Sequence, residues 1–572
     1  MTKEQIHYEN WLRRAVDDPD LITELNEIAG NDVMIRDRFY TDLVFGTAGL
    51  RGVIGAGTCF INVYTIGRAT QGYSDYLNAT YENPSVAIAF DSRIKSKLFA
   101  KRAAEVFAAN GIKVYIFPEL QPTPVLSFAV RSLKAQGGVV ITASHNPSKY
   151  NGYKAYGPDG CQLTIEAADA VLANIEKIPM FGGAAVIPFD QGLDDGTIEY
   201  IPGSLLEDFL NEIKCQSINP DILKSADLKV VYTPLNGTGN KPVRAALDTA
   251  GVKQVFVVPE QEHPDGNFPT APYPNPEIRE AFERAIKLSE QVKPDLLLAT
   301  DPDCDRVGIA VCHGGEYVLM SGNEVGCMLL YYILSQRTEK GTLPKNPIAI
   351  KTIVTTPLVN MIAQKFGCEV IDVLTGFKFI GEQIGFLEEK GEANRYVFGF
   401  EESYGYLAGT YVRDKDAVVA SLLICEMAAY YKEHGKTLYD LMNEIYSEYG
   451  YYINAIVNFT CEGESGMERM DGIMSALREN SPVQIGGLKV RAVADYLISR
   501  EYLCCNDEFI DITLPKSNVI QFKLSGGTSA IVRPSGTEPK IKVYVASKGS
   551  SKADAEIIAN SVKADFTKLL GF

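Results

Sequence analysis

The stretch "VAIAFDSRIKSKLFAKRAAEVFAANGIKVYIFPELQPTPVLSFAVRSLKAQGGVVIT", residues 86–142, decides the fold. Short apolar runs at 86–90, 113–117 and 138–142 alternate with segments of helical period at 96–110, closed by Gly111, and at 125–136. Short apolar runs bounded by turn residues read as buried strands, and the longer amphipathic stretches as helices. The result is a βαβαβ unit, whose crossover helices require a mostly parallel sheet.

The alternation recurs downstream, with apolar runs at 228–232, 255–258 and 295–299, and again at 348–353, 369–373 and 396–400. Three similar α/β layers are therefore expected. The C-terminal part departs from the pattern: one helical stretch at 418–446 precedes the strands "YYINAIVNFT" (451–460) and "PKIKVYVAS" (539–547), and a helix at 553–569 closes the chain. That order is α+β. A chain of 572 residues is too long for one hydrophobic core, so a division into roughly three to four domains is expected.

Composition narrows the function. Hydrophobic residues make up 46% of the chain, yet no apolar run approaches the roughly 20 residues that a membrane helix needs. The charged, amphipathic N-terminus "MTKEQIHYENWLRRAVDDPD" lacks the apolar region of a secretory signal, and the 11 cysteines form no CxxC pair, only the adjacent Cys504 and Cys505. A cytoplasmic protein with reduced thiols is expected. The formal charge of −17 leaves no extended basic stripe for nucleic acid. An acidic chain holds small anions only where Arg and Lys are locally concentrated, which makes its few basic motifs informative.

Ligands of parallel sheets sit beyond the carboxyl ends of the strands. Three polar loops follow buried runs directly: "TASHNP" after "GVVI", "TDPDCDR" after "DLLLA", and "EESYG" after "RYVFGF". In "TDPDCDR" (300–306) the alternating Asp301, Asp303 and Asp305 supply hard oxygen ligands for Mg²⁺. An EF-hand is excluded, because Arg306 stands where its glycine belongs and Cys312 where its glutamate belongs. Near the C-terminus "RPSGTEPK" (533–540) reads as an anion cradle: the Arg533 guanidinium grips phosphate while Ser535, Thr537 and the Gly536 amide donate around it. "LNGTGNKP" (235–242) lacks Walker A spacing and reads as a strand-to-helix turn, and the Pro-rich "EHPDGNFPTAPYPNPE" (262–277) as an ordered loop.

Ser144, exposed on its polar turn in this reading, has no GxSxG elbow, and with five histidines in the chain a hydrolytic triad has little to draw on. A serine accompanied by a metal loop and a separate phosphate cradle suits phosphoryl transfer through a phosphoserine, with a phosphate oxygen completing the metal shell.

These residues carry a resemblance. "FGTAGLRG" (45–52), "TASHNPSKYNGYK" (142–154), "TDPDCDR", "TGFKFIG" (375–381), "GFEESYGY" (399–406), "RDKD" (413–416) and "RPSGTEPK" follow one another across nearly the whole chain. In this set and order the sequence resembles the α-D-phosphohexomutases, most closely their bacterial α-phosphoglucomutase branch. The resemblance implies three similar α/β domains with mixed or parallel sheets, plus a smaller mobile α+β domain, around a central cleft. The expected divisions are 1–205, 206–321, 322–450 and 451–572.

By the same resemblance Ser144 is the phosphoserine and joins Asp301, Asp303 and Asp305 at Mg²⁺. Glu401 and Ser403 grip sugar hydroxyls, while Arg533, Ser535, Gly536 and Thr537 hold the non-reacting phosphate. Arg51, His145, Lys154, Arg306 and Lys415 line the transfer site. Lys154, ten residues after Ser144, is the first candidate to move the proton and His145 the second, with a purely electrostatic role open to either. The implied activity interconverts glucose 1-phosphate and glucose 6-phosphate through glucose 1,6-bisphosphate, which serves as intermediate and activator. Small sugar phosphates are the expected partners, with neither nucleic acid nor membrane. One position departs from many relatives: Phe400, not glycine, precedes Glu401. This variant resembles the branch with phosphopentomutases and glucose-1,6-bisphosphate synthases, so those activities and a phosphomannomutase stay open, as does a non-catalytic sugar-phosphate binder.

Overall fold

The structure is a computed structural model of the chain and describes residues 1–46, 49–461, 466–535 and 540–572. It divides into two compact units, residues 1–322 with 377–437, and residues 323–376 with 438–572.

The first unit opens with helices Lys3–Arg14, Pro19–Glu27 and Asp32–Phe39, the first closed by a capping box between Thr2 and Gln5. Trp11, 1% exposed, fixes this cap by edge contacts to Phe39, Tyr64 and Phe181. Next come β1 (Leu50–Val53), β2 (Ser85–Phe90), β3 (Lys113–Ile116), β4 (Gly137–Ile141), β5 (Tyr150–Tyr156) and β6 (Ile198–Tyr200), in sheet order β1-β5-β4-β2-β3-β6. β3, β2 and β4 run parallel, as the helices Ser96–Ala109 and Thr123–Ser132 between them require. The second helix ends four residues before the sequence limit. Lys134 takes a left-handed φ of 52° there, and the Ala135 amide closes onto Val130 O at 2.9 Å.

The sheet is mixed because β5 returns antiparallel beside β4. The second sheet repeats this. β7 (Lys229–Thr233), β8 (Gln254–Val257) and β9 (Leu296–Thr300) are parallel, and β10 (Val307–His313) and β11 (Glu316–Met320) return antiparallel. β12 (Ile348–Thr352) and β13 (Glu369–Val373) form a parallel pair in the second unit. β14 (Tyr396–Glu401) and β15 (Gly405–Leu407) form an antiparallel hairpin in the first.

The helical stretch expected at 418–446 is two helices, Ala417–Glu433 and Leu438–Tyr449. Gly435, at φ 71°, breaks it. Ala417–Glu433 starts from an Asp416 cap and runs almost wholly buried against helices Ser204–Cys215 and Asn240–Ala250. Its Glu426 carboxylate, fully buried, accepts the Ile218 and Asn219 amides at 2.9 Å each and the Ser217 hydroxyl.

The C-terminal part of the second unit is an antiparallel sheet. Its strands are β16 (Tyr451–Thr460), β17 (Gln484–Ile485), β18 (Leu488–Asp495), β19 (Arg500–Leu503), β20 (Glu508–Asp511), β21 (Ile520–Leu524), β22 (Ser529–Pro534) and β23 (Lys540–Gly549). The order is β16-β23-β22-β21-β18-β19-β20, with β17 on β18. Helices Gly466–Glu479 and Lys552–Leu569 bury Met470, Met474 and Phe566 against Phe522, Val532 and Val543. Among the described residues no helix is long and apolar enough to cross a membrane.

Candidate active site

Each reactive loop of the first unit is the turn of a hairpin in which the last parallel strand meets its antiparallel return. The β4–β5 turn carries Ser144, the β9–β10 turn the three aspartates, and the β14–β15 turn Glu401 and Ser403. Buried strands aim their carboxyl ends at one place, and a return strand holds each turn short.

Ser144 adopts φ 52°, and its amide donates to Thr142 Oγ1 at 2.8 Å. The sequence reading made this serine exposed; it is 3% exposed. Its hydroxyl donates to Asp301 Oδ2 at 2.8 Å and lies 3.3 Å from His145 Nδ1. β5 passes so close to the turn that a Cβ at Gly152 would sit 2.4 Å from Thr142 O, so glycine is required there.

The aspartate turn closes on itself. Asp301 Oδ1 accepts the amides of Asp305 at 3.1 Å and Arg306 at 3.0 Å, and the Cys304 amide donates to Asp301 O at 2.9 Å. "LNGTGNKP" is a strand-to-helix turn, as read, and also a brace: Thr238 donates its amide and its hydroxyl to Pro302 O at 2.8 and 2.9 Å. At Gly237 a Cβ would meet Pro302 Cα at 2.4 Å.

Three buried carboxylates in one turn repel, and cations gather on them. Lys154 Nζ donates to Asp303 Oδ2 at 2.7 Å and Asp305 Oδ2 at 3.1 Å. Lys415 Nζ lies 3.3 Å from Asp305 Oδ2 and 3.1 Å from Asp414 Oδ1, and Thr123 Oγ1 donates to Asp303 Oδ2 at 2.9 Å. Burial pushes the Asp303 carboxyl up, but the Lys154 charge together with hydrogen bonds from Asp301, Lys154 and Thr123 holds it below the carboxylate range. At Asp301 burial, then the charges of Asp303 and Asp305, exceed the pull of the Arg306 guanidinium and drive the carboxyl well above that range. Burial also works against the Lys154 ammonium, and the same two aspartates keep it protonated. Burial, then the Arg306 and Arg51 guanidiniums, hold the His145 ring neutral.

Ligand atoms of Asp301, Asp303 and Asp305 lie within 4.8 Å of one another. Asp303 Oδ1 and Asp305 Oδ1 are buried with no hydrogen bond among the described residues. Spare carboxylate oxygens converging in a desolvated turn fit a hard divalent cation.

The remaining expected residues fall as follows. Glu401 is buried and Ser403 half-buried in the β14–β15 turn, which joins the aspartate turn where the Val307 amide donates to Tyr404 O at 3.1 Å. Arg306 pairs with Glu277, and Arg51, on β1, lies 3.5 Å from Asn146 Oδ1. Arg533, on β22 opposite Lys542, and Ser535, just after that strand, belong to the second unit, and the Ser535 amide donates to Lys540 O at 2.7 Å. Gly536 and Thr537 lie outside the described residues. Phe400, 1% exposed, packs its ring 5.6 Å from Phe398 and 6.2 Å from Tyr406.

Sequence reasoning missed Thr123, Thr238, Asp414 and, above all, Arg93. "DSR" at 91–93 is also a polar loop directly after a buried strand, so the rule that found the other loops applied to it as well.

Comparison with known proteins identifies the family and the fold. Four family models match in order: phosphoglucomutase/phosphomannomutase alpha/beta/alpha domain I at residues 42–180, domain II at 207–314, domain III at 321–449, and the C-terminal domain at 457–564. A phosphoglucomutase of Staphylococcus aureus (strain bovine RF122 / ET3-1) is 39% identical over 544 residues, covering 94% of this chain and 95% of that protein. The phosphoglucomutase of strain MRSA252 matches at the same identity and coverage. Among solved structures, the pp63/parafusin phosphoprotein of Paramecium in its open form has a TM-score of 0.68 at 18% identity, covering 93% of this chain and 95% of that one. A phosphoglucomutase/phosphomannomutase family protein of Burkholderia thailandensis has a TM-score of 0.67 at 17% identity, covering 93% and 97%. These two likenesses agree with the fold, three α/β domains with mixed sheets and a C-terminal domain built on an antiparallel sheet.

Proposed function

The chain belongs to the phosphoglucomutase/phosphomannomutase family, and from that premise we propose that it interconverts glucose 1-phosphate and glucose 6-phosphate with Ser144 as phosphoryl carrier. The observation that carries this reading is the buried Ser144 hydroxyl, 2.8 Å from Asp301 in a turn faced by three carboxylates and two ammonium groups. A hydroxyl so placed accepts and returns a phosphoryl group while water is excluded.

In the first half-reaction the P–Oγ bond of phospho-Ser144 breaks and a P–O bond to the free sugar hydroxyl forms, giving glucose 1,6-bisphosphate. In the second, the bisphosphate has turned around, its other P–O bond breaks, and the phosphoryl group returns to Ser144. The sugar hydroxyl's proton goes to His145, which is neutral and sits 3.3 Å from Ser144 Oγ, and passes from there to Oγ as the P–Oγ bond breaks; in the second half-reaction it returns from Ser144 Oγ through His145 to the sugar oxygen that loses its phosphoryl group. The Lys154 ammonium offsets charge on the transferring group. Asp301, Asp303 and Asp305 would hold Mg²⁺, which supplies Lewis-acid stabilisation of a phosphoryl oxygen. Glu401 accepts from, and Ser403 donates to, adjacent sugar hydroxyls. Arg306 and Arg51 add positive charge around the Ser144 turn, and Lys415 fixes Asp305. The "RPSGTEPK" segment, with Arg533, Ser535, Gly536 and Thr537, would bind the phosphate ester that is not being transferred.

Peptide mass spectrometry of the active enzyme tests the carrier, with turnover of glucose 1-phosphate, mannose 1-phosphate and ribose 1-phosphate measured in parallel. Phosphate on the Ser144 peptide with glucose 1-phosphate turned over fastest is expected. An active enzyme without that phosphate overturns the mechanism, and a faster pentose or mannose reaction overturns the substrate.

A further inference from the structure

Arg93 belongs to none of the motifs that mark the site, yet it makes the densest set of contacts to the Ser144 turn. Its side chain and that of Asp91 are fully buried, with Arg93 Nε 3.3 Å from Asp91 Oδ2. Asp91 Oδ1 in turn accepts the Arg93 amide at 2.9 Å and the Ser96 hydroxyl at 2.7 Å. The four remaining guanidinium hydrogens meet four backbone carbonyls. Nη2 donates to Ser144 O and Asn146 O, and Nη1 donates to Pro147 O and Tyr150 O at 3.0 Å each.

The Pro-rich 262–277 loop of the second α/β domain covers the other side. The Phe268 ring, buried and held at φ 48°, lies 5.0 Å from the Arg93 guanidinium carbon. Gly266 approaches the 92–94 backbone so closely that a Cβ would stand 2.5 Å from Ile94 N. The loop is itself tied down, with Asn236 Nδ2 donating to His263 O at 2.8 Å and the Asp265 amide to Asn236 O at 3.1 Å.

We propose that Arg93 is the positioning residue of the Ser144 turn. Held by Asp91 on one side and the Phe268 ring on the other, its guanidinium gathers four carbonyls of the turn, of which Pro147 O also accepts the Tyr150 amide at 3.0 Å, and so fixes the left-handed backbone at Ser144 that aims the hydroxyl at Asp301. A left-handed serine is strained and persists only where its surroundings over-determine it. The planar fork of a guanidinium meets two pairs of carbonyls; the compact ammonium of lysine does not.

The inference rests on Ser144 being the phosphoryl carrier, and the test separates the two. Full-length wild-type, Arg93→Lys and Phe268→Leu enzymes are charged with glucose 1,6-bisphosphate and Mg²⁺, and the phosphorylated fraction is counted by intact mass. The single-turnover transfer to glucose 1-phosphate is then timed per phosphorylated molecule. A purely structural role lowers the phosphorylated fraction and leaves that rate constant alone. A positioning role lowers the rate constant itself, by about 100-fold for Arg93→Lys, the cost of a roughly 1 Å misplacement. Phe268→Leu, which keeps the core filled and serves should Arg93→Lys not fold, is expected to lower it roughly 5-fold through loss of the ring beneath the guanidinium. Wild-type rate constants in every variant that folds overturn the role of Arg93 alone. A wild-type enzyme that transfers with no phosphate on Ser144 brings down the carrier reading and this inference together.

Discussion

The Ser144 turn and the aspartate turn occupy the same place in two consecutive α/β domains, between the last parallel strand and its antiparallel return, yet they are stabilised in different ways. The aspartate turn is capped from within by the Asp301 carboxylate, which accepts two of its amides, and single outside donors reach its carbonyls one by one: Thr238 at Pro302, the Thr123 amide at Asp303 and the Ala417 amide at Cys304. The Ser144 turn closes two backbone bonds of its own, Asn146 amide to Ala143 O and Tyr150 amide to Pro147 O, and a single outside guanidinium takes four of its carbonyls at once. A cluster of like charges must be rigid in itself, because its members push one another apart. A turn that presents one hydroxyl has no such internal tension, and its precision is imported from the packing around it.

If the contrast holds, substitutions in the two turns fail differently. Ser144→Ala deletes the carrier and leaves the charge cluster intact, so turnover should fall by about 10⁴-fold or more, with the thermal midpoint unchanged; an assay of purified protein alongside calorimetry decides it. Asp303→Asn strikes the cluster, leaving Lys154 with one carboxylate where it had two. Turnover should drop roughly 10²-fold, and the Mg²⁺ needed for half-maximal rate should rise by about the same order. Chelation of wild-type enzyme should mimic the variant and be reversed by added Mg²⁺, and a chelated enzyme that keeps full activity would remove the metal from the account.

Thr238→Val takes one of two donors from Pro302 O, so stability should fall by about 1 kcal/mol in urea titrations, with a few-fold loss of rate. An unchanged midpoint would mean that the aspartate turn needs no brace from the Thr238 hydroxyl. The smallest expected effect concerns pH. His145 is held below its ordinary value of 6.5, so the folded state binds fewer protons than the unfolded state and stability falls as pH drops through that value. His145→Gln should show a shallower decline between roughly pH 7 and pH 5. An equal or steeper decline would show that the ring is already charged in the fold.

How far the sequence revealed the site follows from the same contrast. The aspartate turn was legible because its ligands, its spacing and its closure lie within "TDPDCDR". Ser144 was legible as a motif, but its burial was not, since the groups that cover it come from other elements: Asp301 from β9, and Arg93 from the end of β2. The parallel strands were legible as apolar runs. The return strand β5, "YNGYKAY", was not, because its buried polar residues break the pattern of a core strand and are spent on the site. The helix break at Gly435 was a missed glycine signal in a stretch otherwise periodic throughout.

The buried Glu426 on helix Ala417–Glu433 bears on how the chain is made. This helix completes the first unit, and its carboxylate receives the amides of Ile218 and Asn219, synthesised long before it. A ribosome adding roughly 5–20 residues per second takes roughly 6–23 s to pass from residue 322 to residue 437. Throughout that interval the apolar faces of helices Ser204–Cys215 and Asn240–Ala250 lack their cover. The nascent chain is thus an expected client of a chaperone that shields those two helices until residue 426 has emerged.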